Sequence, residues 1–202
     1  MNAKEYLVPA DVAEKEYEVK KSRFIARVGP ASTREEALAY VATAKRDFPD
    51  ARHHCWAYLL GDPNTPSSAA MNDDGEPSGT AGKPILNVLQ HKGIGDIVMV
   101  VSRYFGGVKL GAGGLVRAYS GATQQTIEQL TIEQRIARDN HRIECDFKHE
   151  QYLRMWLEQH NGLIERCDYA QGAILDIALP ASELGELDKL LASLSNSQRL
   201  RN

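Results

Sequence analysis

The segment from Asp96 to Tyr104 (DIVMVVSRY) constrains the fold most. It is a β-branched run without polar alternation, so a strand built from it carries apolar side chains on both faces and must be covered on each side. The run is strand-sized. No stretch of about 18 apolar residues occurs anywhere in the 202-residue chain, so no membrane-spanning helix is expected.

The elements around it read as an α/β first half. Tyr17–Val28 reads as a strand. Thr33 and Glu36 form a capping box ahead of a helix with Ala37, Leu38, Val41 and Ala44 on its apolar face, ended by Phe48-Pro49-Asp50. His53–Leu60 reads as a strand, Gly61–Ser68 as a turn-rich loop and Lys83–His91 as a helix stopped near Gly93. A last helix runs from about Gly113 to Leu130, with Leu115, Tyr119, Ala122 and Leu130 on one side.

The second half has its own pattern. A strand within 136–147 precedes a helix carrying Tyr152, Leu153, Trp156 and Leu157, all expected in a core, and Asn161-Gly162 stops it. Strands 163–169 and 173–179 flank a tight Gln171-Gly172 turn. Ser182 is placed to cap a helix with Leu184, Leu187, Leu191 and Leu194, and a short strand at Gln198–Arg201 closes the order β-α-β-β-α-β, the ferredoxin-like pattern. The expectation is a two-layer α+β arrangement in two domains, 1–134 and 138–202.

Net charge is −3 at pH 7, which argues against coating nucleic acid through bulk charge. Its distribution is uneven. Lys20, Lys21, Arg23 and Arg27 follow one another without an intervening acid, and between Pro77 and Ile127 five basic residues face the single acid Asp96. This is either a local positive face or a scatter of solvated charges. The three cysteines, Cys55, Cys145 and Cys167, form no C-x-x-C pair, and the N-terminus shows no apolar signal core. A reducing, cytoplasmic setting is expected.

Eleven of the sixteen glycines lie between Gly75 and Gly121. The densest piece, SRYFGGVKLGAGGLVRAY, joins the apolar strand to the last helix. Such a loop offers free backbone amides at a helix N-terminus, where the dipole favours an anion. The candidate anion or nucleic-acid set is Lys83, Arg103, Tyr104, Gly106, Gly107, Lys109, Gly111, Gly113, Gly114 and Arg117. Neither a P-loop nor a dinucleotide fingerprint is present, because Ala112 and Gly113 follow Gly111 and position 116 is Val116. The competing reading is a compact structural turn. Tyr104-Phe105 beside Arg103 adds groups able to stack on unpaired bases.

Candidate catalytic residues are His53, His54, Asp73, Asp74 and Glu76, as a His/carboxylate site or with Cys55 as nucleophile. Neighbouring strand residues face opposite sides, so at most two of positions 53–55 share a site. Metal-ligand spacing is absent, and Ser78, Thr80 and Ser102 lack a nucleophile elbow. No metal and no cofactor are implied.

ARHHCWAYLLG (Ala51–Gly61), NDDGEPSGTAGKPIL (Asn72–Leu86) and VVSRYFGGVKLGAGGLVRAY (Val100–Tyr119), with KKSRFIA (Lys20–Ala26), closely resemble the IMPACT family, in particular its bacterial, YigZ-type branch. The resemblance implies an N-terminal domain like the second domain of ribosomal protein S5. It also implies a ferredoxin-like C-terminal domain similar to the last domains of elongation factor G. The family's motif residues fall on His53, His54, Asp73, Asp74, Gly75, Glu76, Pro77, Gly79, Thr80, Lys83, Arg103, Tyr104, Gly106, Gly107, Gly111, Gly113, Gly114 and Arg117. No catalytic assignment comes with them. Eukaryotic relatives regulate translation through an extra N-terminal domain that contacts the activator of a stress-responsive kinase. The family motif begins here by about residue 20, so that kinase role is not expected.

Three functions compete. The first is a noncatalytic protein binding RNA, the ribosome or translation factors. The second is a hydrolase or phosphotransfer enzyme in which a histidine, Asp73 or Asp74, and Lys83 converge. The third is a protein-interaction scaffold. No membrane association and no DNA-specific motif are expected, and the oligomeric state is left open.

Overall fold

The structure, a computed structural model, describes residues 5–200, which form two compact units divided between Arg135 and Ile136. The first unit runs β1 (Tyr6–Pro9), β2 (Ala13–Val19), β3 (Ser22–Pro30), α1 (Arg34–Asp47), β4 (His53–Leu60), β5 (Ser68–Asn72), α2 (Gly82–Lys92), β6 (Ile97–Tyr104), α3 (Ala112–Ile127) and β7 (Ile132–Arg135). Five strands pair antiparallel in the order β2-β3-β6-β4-β5.

The apolar run is the central strand, and Ile97 through Arg103 are all buried. Val98 and Val100, with Tyr58 and Leu60, pack on Ala37, Val41 and Ala44 of α1. Met99 and Val101, with Phe24, Ala57 and Leu59, pack on Ile85 and Leu89 of α2 and Leu115 and Tyr119 of α3. The unit is therefore three layers deep, not two. Its sheet is antiparallel, so both faces are buried because helices cover each side.

Tyr17–Val28 is not one strand. Lys20 and Lys21 take φ of 46° and 63° and fold β2 back on β3, with Val19 opposite Ser22. That is a two-residue hairpin with both turn residues left-handed, a conformation that usually selects Asn or Gly. The hairpin also dissolves the run of positive charge. Arg23 forks onto Glu16 at 2.7 and 2.8 Å, and Arg27 reaches Glu14 and Asp47 at 2.7 Å each. Lys20 and Lys21 stay exposed at the tip.

Thr33 Oγ1 accepts the Glu36 amide at 3.2 Å, as a capping box requires, while the Glu36 carboxylate takes the Ser32 amide at 2.7 Å. Glycine ends α2 as expected, with Gly93 in the left-handed region at φ 65°. β1 pairs with β7, which brings the two ends of the unit together. Buried Asp96 ties the same region, accepting from Tyr6 Oη at 2.7 Å, from the Gly61 amide at 2.8 Å and from Arg135.

The second unit runs β8 (Asp139–Cys145), α4 (Phe147–Gln159), β9 (Leu163–Tyr169), β10 (Ala173–Leu179), a single 3-10 turn, α5 (Leu184–Ser193) and β11 (Gln198–Leu200). Its antiparallel sheet has the order β11-β8-β10-β9. Ile143, Leu153, Leu157, Leu175, Ile177, Leu187 and Leu191 form the core. Two expectations fail here. Ser182 lies in the 3-10 turn and caps nothing, since α5 starts without a side-chain cap. Tyr152 is half-exposed, whereas Trp156 packs partly buried on the core and stacks on His160 with ring centres 4.0 Å apart. Among the described residues no helix is long and apolar enough to cross a membrane.

Candidate functional site

β6 ends at Tyr104, and the chain passes through the glycine-rich loop into α3. Gly111 is the N-cap, at φ 71° and ψ 167°, and no side chain caps the helix. The Leu115 amide is the first to donate back along the helix, to the Gly111 carbonyl at 2.9 Å. The amides of Ala112, Gly113 and Gly114 precede that ladder, and no acidic residue occupies the first turn. The positive end of α3 is thus open.

A cleft of about 360 Å³ lies against this turn, lined by Arg52, His53, Glu76, Arg103, Phe105 and Lys109 with an apolar wall that includes Leu110 and Leu115. Arg103 is only 7% exposed. Its Nη1 donates to Glu76 Oε1 at 2.6 Å, and Tyr119 Oη donates to the same oxygen at 2.9 Å. The guanidinium lies 5.5 and 5.7 Å from the ring centres of Phe24 and Phe105. Its Nε is sealed from solvent and has no partner among the described residues. Arg103 is therefore a fixed positive charge, held by a carboxylate and two rings.

The candidate catalytic residues serve other purposes. Asp73 Oδ1 accepts the Ala81 and Gly82 amides at 3.0 and 2.8 Å, and Oδ2 accepts the Gly79 amide at 2.8 Å. It caps α2 from a distance, because Ala81 at the N-cap offers no side-chain acceptor. Asp74 Oδ2 accepts the His54 amide at 2.7 Å, and Oδ1 accepts Lys45 Nζ at 3.3 Å. Lys83 is exposed on α2 and does not line the cleft. Lys83 thus stands outside the cleft that His53 and Glu76 line. Of the acids at 73, 74 and 76, Glu76 is the one in the cleft.

The two histidines divide between the faces of β4. His53 stands opposite Arg103 on the cleft side, its Nδ1 donating to the Asp74 carbonyl at 2.8 Å. His54 stands opposite Ser102 on the α1 side, buried, with Nδ1 2.8 Å from Ser102 Oγ. Burial lowers the His54 pKa. Cys55 Sγ donates toward the Asp73 carbonyl at 3.0 Å and lies 3.3 Å from Tyr119 Oη. Burial drives its thiol far above the ordinary range. Among the described residues no three His, Cys, Asp or Glu side chains are placed to hold a metal ion.

The expected anion set also divides. Tyr104 follows Arg103 on the strand and faces the other side, where Arg23 lies 5.3 Å over its ring. Gly106 is required by contact between backbones: a Cβ there would lie 1.9 Å from the Lys21 carbonyl carbon, and its amide donates to Ser22 Oγ at 3.2 Å. The turn reading holds for those two. Gly107 is exposed in the loop, Gly114 backs onto Leu110, and Gly113 lies beneath Arg117, whose Nη1 would be 3.7 Å from a Cβ built there. Lys109, Gly111 and Arg103 line the cleft. Arg52 was missed, for within ARHHCWAYLLG nothing sets it apart from its neighbours. Only the pairing of β4 with β6 shows that it sits beside Arg103, to whose carbonyl its amide donates at 3.0 Å.

A family model described as the Impact N-terminal domain matches residues 20–127, and one described as a domain of unknown function, DUF1949, matches 143–198. The chain is 40% identical over 190 residues to the IMPACT family member YigZ of Escherichia coli, covering 94% of this chain and 93% of that one. It is 32% identical over 194 residues to the IMPACT family member YvyE of Bacillus subtilis, covering 96% and 88%. A crystal structure of a hypothetical protein, 38% identical, superposes with a TM-score of 0.71 over 98% of this chain and 97% of that one. The glycine loop, the Asp73–Glu76 segment and the β4 histidines all fall within the first matched model, and the chain belongs to the IMPACT family, of the bacterial type represented by YigZ.

Proposed function

We propose that this protein is a noncatalytic RNA-binding protein of the translation apparatus, taking phosphates of the RNA at the N-terminus of α3. The single observation that carries the reading is the open first turn of α3 sharing one cleft with Arg52, Lys109 and the buried Arg103. Exposed Lys20 and Lys21 sit at a hairpin tip whose backbone rests against Gly106 of the same loop. Membership of a family with translational regulators among its eukaryotic members supports the same class of role. The strand order β11-β8-β10-β9 supports a ferredoxin-like second domain, the family resemblance implies an S5-like first domain, and both suit ribosome-associated proteins.

Arg52→Ala with Lys109→Ala tests it. Both side chains are exposed, so the fold should survive. Binding of a short single-stranded RNA should weaken by about 1–3 kcal/mol, and the slope of log affinity against log salt should fall by about 1–2. Unchanged affinity and slope would overturn the site. Capture of a protein partner that survives nuclease treatment, with no affinity for RNA, would overturn the ligand class.

A further inference from the structure

The cleft is more selective than a phosphate cradle needs to be. Much of its wall is carbon, from Pro77, Phe105, Leu110 and Leu115, and it contains a carboxylate, Glu76. A site for phosphate alone would gain nothing from either. Its volume of about 360 Å³ lies at the lower end of the roughly 300–1,000 Å³ range of small-molecule clefts. That is room for one nucleotide and too little for a stacked run.

The polar groups have complementary tasks. Three cations, Arg52, Arg103 and Lys109, outnumber Glu76, so an anion is still favoured. Glu76 Oε1 is occupied by Arg103 and Tyr119, while Oε2 has no partner among the described residues. A carboxylate accepts and does not donate, so it recognises a hydroxyl or an amine and repels a second phosphate. Phe105 is 48% exposed, and Arg103 lies 5.7 Å from its ring centre, which fixes the ring as a platform.

Resting on the RNA reading above, we infer that the cleft is a single-ribonucleotide pocket: phosphate on the Ala112–Gly114 amides with Lys109, base against Phe105, ribose hydroxyl donating to Glu76. The 2′-hydroxyl distinguishes RNA from DNA. Losing the hydroxyl removes one hydrogen bond to a charged acceptor, so the deoxy form should bind more weakly.

The full-length protein, with backbone amides assigned by NMR, is titrated with 5′-AMP, 2′-deoxy-5′-AMP, adenosine and inorganic phosphate. Amides at 111–115 should shift with 5′-AMP. The deoxynucleotide should bind roughly tenfold more weakly. Adenosine and phosphate should each bind more weakly than the nucleotide that joins them. Phe105→Ala, at an exposed position, should weaken 5′-AMP by roughly 5- to 100-fold and leave phosphate unchanged. Equal binding of 5′-AMP and its deoxy form, phosphate binding as tightly as 5′-AMP, or shifts elsewhere would each overturn the pocket. RNA binding that depends on Arg52 and Lys109, without any nucleotide shift, overturns this inference and leaves the RNA reading standing. Failure to bind either removes both.

Discussion

Arg103→Ala takes the guanidinium out of a pair whose side chains are 8% and 4% exposed. Glu76 would keep only Tyr119 against its charge. Breaking a buried pair in this way costs about 3–5 kcal/mol, because a carboxylate stays desolvated without its counter-ion. An exposed pair would cost about 0–1 kcal/mol. The two magnitudes are far enough apart to decide. The chain has two tryptophans, Trp56 in the first unit and Trp156 in the second. In a Trp156→Phe background, fluorescence during urea unfolding reports the first unit alone. Arg103→Ala should lower its stability by about 3–5 kcal/mol. Removing both charges, as Glu76→Met with Arg103→Met, should cost at least about 1.5 kcal/mol less than the sum of the single replacements, since no orphan charge remains. A loss under about 1 kcal/mol for Arg103→Ala, or strict additivity, would refute the picture of a buried, mutually dependent pair.

Adjacent glycines should respond differently. Gly106→Ala drives a Cβ into the Lys21 backbone and should cost about 3 kcal/mol or more, whereas Gly107→Ala meets open space at φ 84° and should cost about 1–2 kcal/mol. Equal losses in the same urea assay would contradict the close-approach account of Gly106. His54 is held below its usual pKa by burial, so the folded state resists its protonation. Its contribution is complete above pH of about 6.5 and is lost as pH falls below that, by no more than about 1.4 kcal/mol per pH unit for one proton. His54→Asn should flatten the fall in stability between pH 7 and 5; an unchanged slope would show that His54 carries none of it.

Much of the architecture was legible locally. The unbroken apolar run became the central buried strand, Thr33 and Glu36 began α1, and Leu187 and Leu191 lined the second core. Each is recorded in neighbouring residues, because alternation and 3.6-residue spacing state which side of an element must leave water. The Lys20-Lys21 turn escaped because nothing in two lysines announces positive φ; the pairing of β2 with β3 imposes it. The charges of Arg23 and Arg27 looked like a positive face until the strand turned back and set acids beside them.

The site shows the same division. Its glycine loop, with cations near a helix start, was visible in the residue order. Which cations reach the cleft was not. Register decides that Arg103 stands opposite His53 while Tyr104 faces away, and a loop carboxylate, Asp73, caps α2. Sequence by itself determined what each segment is and which of its sides is apolar, because those are properties of consecutive residues. Tertiary structure alone decided which charges are paired and which remain for a ligand, because a side chain's partner lies across the sheet, tens of residues away along the chain.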